Sequence, residues 1–137
     1  MRALYRLGVI LSINSVHKGK KGEVEFCKWL DKNLGIKTER NYNQSKGGSD
    51  IIIDDFIFEI KRCEVLKLED WWYQVAISKQ KHENQDLIPI VCFRQNRKPW
   101  EFLLPAYLIC GLDKGFLRAS ESIFLQFARS LIKTNEC

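Results

Sequence analysis

A chain of 137 residues that is 45% hydrophobic and 28% charged has the composition of one ordinary globular domain, which excludes a fibre or a disordered tail. At this length folding buries roughly two-thirds of the surface the unfolded chain exposes, so no disulfide or structural metal is needed. The net charge of +5 and a pI near 9.0 favour a polyanionic partner without saying which. Five cysteines, Cys27, Cys63, Cys92, Cys110 and Cys137, are odd in number and contain no C-x-x-C pair. They read as free thiols of a reducing cytosol, not as a zinc site or a disulfide framework. Met1 to Ser15 places Arg2 and Arg6 ahead of a short apolar run, but no small-x-small cleavage site follows and the next residues are basic, so it fails as a signal peptide. No stretch reaches the ~18 apolar residues that cross a bilayer; a soluble, cytoplasmic protein is expected.

No repeat or linker divides the chain, so one domain over 19–137 is expected, preceded by an N-terminal extension, 1–18. In chain order, the first element is a helix from Lys20 to Leu34 that stops at Gly35. Cys27, Leu30 and Leu34 share one of its faces with Glu23, which points an acid toward the core. An edge strand over Ile36 to Arg40 and a polar loop, Asn41 to Ser49, come next. Ile51-Ile52-Ile53 and Phe56 to Arg62 read as a hairpin turned at Asp54-Asp55. Along the second strand Phe56, Phe58 and Ile60 fall on one face, and Ile57, Glu59 and Lys61 on the other.

A second helix is expected from Leu68 to Lys81, with Leu68, Trp72, Val75 and Ala76 as its apolar stripe and Gln74 and Ser78 as a polar row. Trp71 and Trp72 are large apolar anchors suited to packing the helix on the sheet. Strands follow at Leu87 to Arg94 and Trp100 to Leu104. The last element is a helix from Ser120 to Lys133, with Ser120 as N-cap and Ile123, Phe124, Phe127 and Leu131 inward. The order α-β-β-β-α-β-β-α suggests an α/β sandwich around a central mixed sheet. His17 and His82 lack the spacing of a metal pair and receive no role.

Glu59 and Lys61 project from one face of an apolar strand. An edge strand with a charged solvent face would show the same spacing. Asp50, just after Gly47-Gly48 at the mouth of the preceding strand, gives the pair another meaning, because the hairpin can bring its carboxylate next to Glu59. Two hard oxygen donors suit Mg²⁺, which prefers one or two carboxylates plus waters and phosphate oxygens; Mn²⁺ is expected to substitute. Lys61 would orient a water or offset charge developing at a phosphate. Lys18, Lys20 and Lys21 at the first helix N-terminus are the best candidates for phosphate contacts. Lys46, Arg62, Arg94, Arg97 and Lys98 are further basic candidates near the acidic centre.

The run Gly47-Gly48-Ser49-Asp50, a hairpin, then Phe58-Glu59-Ile60-Lys61, preceded by the helix opening Lys18 to Glu23, resembles the PD-(D/E)XK nuclease superfamily. Ser49 stands where the motif name has proline, at a position that varies in the superfamily. Arg40 to Gln44, Trp71 to Gln74 and Arg94 to Trp100 resemble small phage-type nucleases described as Holliday-junction resolvase-like. The resemblance covers about Gly19 to Leu104. It implies a restriction-endonuclease-like three-layer sandwich, metal ligation by Asp50, Glu59 and the Ile60 carbonyl with help from Glu23, and a catalytic Lys61. It also implies a glutamine near the site, for which Gln74 is the candidate, although a solvated side chain reads equally well. The implied activity is Mg²⁺-dependent hydrolysis of DNA, with Holliday junctions as one substrate and a homodimer as the form a two-fold junction requires. Homing, restriction-like or nicking cleavage, or a DNA-binding module that no longer cleaves, are the alternatives. A phage origin would place the protein in the host cytoplasm.

Overall fold

The computed structural model describes residues 21–37 and 50–135, with side chains omitted for Asp50 and residues 132–135. Residues 21–34 form helix α1. It ends as expected at Gly35, whose φ of +67° costs glycine nothing, and the Gly35 N–H closes the last turn on the Asp31 carbonyl at 3.0 Å. Then follow β1 (Asp50–Ile53), β2 (Phe56–Arg62), α2 (Leu68–Gln80), β3 (Ile88–Arg94), β4 (Glu101–Pro105), α3 (Ala106–Ile109), β5 (Phe116–Ser120) and α4 (Glu121–Asn135). Ile36 and Lys37 carry no strand; the rest of the expected 36–40 strand, and the loop up to Ser49, lie outside the described residues.

The five strands form one sheet in the order β1-β2-β3-β4-β5. β2 and β3 run parallel, and every other neighbouring pair is antiparallel. The parallel step needs a crossover, which α2 provides. The hairpin between β1 and β2 turns at Asp54-Asp55, with Asp54 at φ +51°, a conformation Asp tolerates better than most residues.

Period-two alternation divides the core between the two faces of the sheet. On one face Phe56, Phe58, Ile60, Ile90, Cys92, Phe102 and Leu104 meet Phe26 and Leu30 of α1 and Phe124 and Ala128 of α4. On the other, Ile57, Val91, Phe93 and Leu103 meet Trp71 and Val75 of α2. The result is a three-layer α/β sandwich of the restriction-endonuclease-like kind, with α1 and α4 on one side and α2 on the other. Both tryptophans of α2 pack inward, Trp71 against Phe93 and Trp72 against Phe116, with ring centroids 5.5 and 5.6 Å apart.

Two expectations change. β5 and the short α3 occupy a stretch that carried no predicted element. Ile123 is 55% exposed instead of inward, because α4 is phased by Phe124 and Ala128, one turn apart and both buried. In α2, Trp71 is buried beside Val75 as an anchor on the sheet, as expected, although the predicted apolar stripe of Leu68, Trp72, Val75 and Ala76 does not include it. Ser120 does cap α4: its Oγ accepts the Ile123 N–H at 3.3 Å. Ser120→Ala is therefore expected to cost about 1 kcal/mol, read as a fall in the thermal midpoint of a few degrees. Among the described residues no helix is long and apolar enough to cross a membrane.

Candidate active site

The site is organised by β2. Its neighbours along the strand are apolar on both faces, yet Glu59 is 3% exposed, the one charged residue buried in this core among the described residues. Lys61, two residues on and therefore on the same face, brings its Nζ to 3.1 Å from Glu59 Oε1. Desolvating a carboxylate costs several kcal/mol even when it is paired, so such a pair is a poor device for stability. Titratable groups held in this way are more characteristic of functional sites. The edge-strand explanation for the charges does not hold, because β2 lies between β1 and β3.

Asp50 opens β1 directly opposite Glu59 in the antiparallel register. Opposed positions share a face, with Cβ atoms about 4.5–5.5 Å apart in such ladders. The hairpin thus brings the backbone positions of the two acids together as its sequence predicts. Glu23 is half-buried in the first described turn of α1. That turn crosses the end of β2: a Cβ on the preceding residue, Gly22, would lie 3.1 Å from Arg62 Cβ and 3.9 Å from Ile60 Cγ2. Ile60 buries its side chain on the α1 face between Glu59 and Lys61. Gln74 is exposed on α2, the helix that covers the Glu59 face of β2 and β3.

Among the described residues no three His, Cys, Asp or Glu side chains gather into a metal-holding group; the Asp50 side chain falls outside that description. The donor types nonetheless fit a hard cation. The buried Glu59 carboxylate, with an aspartate at the opposed register position, offers the oxygen donors that such a cation takes.

The basic candidates fall into three groups. Lys18, Lys20 and Lys46 lie outside the described residues. Lys21, Arg97 and Lys98 are exposed, with Arg97 at φ +61° in the turn after β3 and Lys98 Nζ donating to Gln95 Oε1 at 3.2 Å. Arg62 and Arg94 are instead held within the protein by Glu25, whose Oε2 accepts Arg62 Nε at 3.3 Å and Arg94 Nη1 at 3.4 Å. Glu25 was not anticipated, since its partners lie 37 and 69 residues away and no local pattern announces them.

Behind Glu59 sits Cys92, fully buried on β3, whose Sγ donates to the Glu59 carbonyl at 3.6 Å. Burial pushes the Cys92 thiol well above its ordinary pKa, and the nearby charge of Glu59 and then Cys27 add to the rise. Such a thiol stays protonated and unreactive. In the native protein Cys92 is expected to resist iodoacetamide at pH 8 while exposed Cys110 is alkylated, with peptide mass spectrometry reading the two sites.

A mixed α/β sheet with an acid-x-lysine pair on an inner strand, faced across a hairpin by an aspartate, carries the residue pattern for which the PD-(D/E)XK class is named. The family model described as "Phage putative PDDEXK endonuclease" matches residues 14–125, and the chain belongs to that family. No curated protein and no solved structure matches the chain.

Proposed function

We propose that the chain is a Mg²⁺-dependent DNA endonuclease that hydrolyses phosphodiester bonds, with branched DNA such as a Holliday junction as its substrate. The observation that carries the chemistry is the buried Glu59 carboxylate, 3.1 Å from Lys61 and opposite Asp50 in register. Asp50, Glu59 and the Ile60 carbonyl would hold the cation, with Glu23 assisting from α1. When bound, Mg²⁺ neutralises the scissile phosphate and acidifies a water.

The chain's own contribution is positional. Glu59 holds the Lys61 ammonium in place, so that its N–H groups meet the charge that grows on the phosphate oxygens without reorganising. Gln74, on the helix above this face, orients the attacking water. Net positive charge and the lysines around the α1 N-terminus draw in the phosphate backbone. Symmetric cutting of a four-way junction requires two such sites related by a two-fold axis, hence a homodimer.

The test incubates the protein with four-way junction, linear duplex, single-stranded and supercoiled DNA, in Mg²⁺, Mn²⁺ or EDTA. Paired symmetric cuts in the junction, present in either metal and absent in EDTA, are expected, together with a dimer by sedimentation. Nicking of the plasmid alone replaces the junction reading with a nicking endonuclease. Absence of any product with any substrate removes the catalytic reading.

A further inference from the structure

Arg62 and Arg94 are the last residues of the two parallel strands and stand opposite each other in the ladder. The carboxyl edge of parallel strands is where open α/β sheets receive ligands. Two like charges at adjacent register positions repel unless something holds them, and here the structure supplies a holder. Glu25 takes the Nε of Arg62 and the Nη1 of Arg94 on a single oxygen. Arg62 Nη1 also donates to the Arg94 carbonyl at 3.4 Å and to Asn96 Oδ1 at 3.0 Å. Arg94 Nε donates to the Lys98 carbonyl at 2.7 Å. The turn is fixed in its place as well: the Asn96 N–H donates to Glu64 Oε1 at 2.7 Å, and Gln95 Nε2 to the Glu64 carbonyl at 2.8 Å.

After these bonds, the Nη2 group of each arginine has no acceptor among the described residues, and the two guanidinium groups share a single Glu25 oxygen. Arg94 remains 34% exposed. Two orientated guanidinium groups with N–H to spare form the geometry that phosphate oxygens accept. We propose that Arg62 and Arg94 form a second phosphate subsite at the strand ends, one that takes a non-scissile backbone phosphate of the DNA beside the cleaved bond. Glu25 is its positioning residue. The substrate assignment rests on the nuclease reading; the subsite itself rests on this geometry.

The experiment measures DNA affinity against salt concentration for the full chain in EDTA, where no cleavage intervenes. Arg94→Gln is expected to lower the slope of log K against log salt by about one and to weaken all sequences alike. Arg94→Lys, which keeps the charge and loses the fork, is expected to keep the slope and to weaken binding about fivefold. Glu25→Gln and Glu25→Ala both remove the negative charge, but only glutamine keeps an oxygen to hold the arginines. Glu25→Ala is therefore expected to bind about fivefold more weakly than Glu25→Gln at the same slope.

An unchanged slope in Arg94→Gln overturns the subsite, and equal affinity of the two Glu25 variants overturns the positioning role. Circular dichroism of each variant establishes that it is folded. A slope that falls by one in a protein that never cleaves leaves the subsite standing and removes the nuclease reading. Cleavage with an unchanged slope does the reverse.

Discussion

Lys61→Ala and Glu59→Gln are each expected to slow DNA cleavage by roughly 10²- to 10³-fold, the range found when a preorganised stabilising group is removed. Glu59→Gln keeps the volume of a side chain that is 3% exposed, so the fold survives while the buried negative charge and its hold on Lys61 are lost. Lys61→Ala takes away the cation 3.1 Å from the buried Glu59 carboxylate, and losing that charge partner costs some stability as well. Single-turnover cleavage at saturating Mg²⁺ reads the chemical step, and DNA affinity in EDTA reads binding. The site assignment requires the rate to collapse while affinity changes little. A Lys61→Ala protein that cleaves at the native rate removes Lys61 from the chemistry.

The largest expected effect on stability is at Phe26. Its ring is fully buried and meets Phe58, Trp100, Trp29 and Phe102, with centroids 5.2, 5.3, 5.8 and 6.1 Å away. Phe26→Ala removes a ring that joins α1 to β2 and to β4 with the Trp100 before it. The cost is about 3–5 kcal/mol from lost transfer energy and the cavity left behind. That is a large part of the ~5–15 kcal/mol that holds a domain together. Chemical denaturation with an unchanged m-value measures it. Val24→Ala, two residues away and 48% exposed in the wild type, is the control and is expected to stay within about 0.5 kcal/mol. A small loss at Phe26 would mean that α1 is not anchored by this ring.

Much of the site was legible because it depends on short-range geometry. The alternation of Phe56 to Lys61 needs only the pleat of a strand, and the opposition of Asp50 and Glu59 needs only the length of a hairpin. Both are backbone facts once the turn at Asp54-Asp55 is recognised. The arginine pair was legible only as charge, because its meaning lies in contacts to Glu25 that come from a different layer of the fold.

The omissions have similar physical causes. Phe26 belongs to the same helical stripe as Leu30, four residues on, but it directly follows Glu25, and the face read from Cys27, Leu30 and Leu34 lies one position round the helix. β5 has five residues with Arg118 in the middle, which reads as a loop. Its charge is accommodated at the edge by Glu101 on β4, through bonds of 2.8 and 3.0 Å, and this fork raises the pKa of the Arg118 guanidinium. Alanine at 128 looks too small to orient a helix, yet it lets α4 approach the sheet so closely that Phe124 stacks on Phe102 with centroids 4.0 Å apart.

The sequential order of the strands has a consequence for how the molecule can be cut down or rebuilt. Because each strand after the second joins at a free border of those already laid down, none has to be threaded between two partners, and shortening the protein from its carboxyl end peels the sheet from the outside inward. The ladder beneath Glu59 runs through the first three strands, whereas β4 stands outside it and completes both layers of the core with Phe102, Leu103 and Leu104.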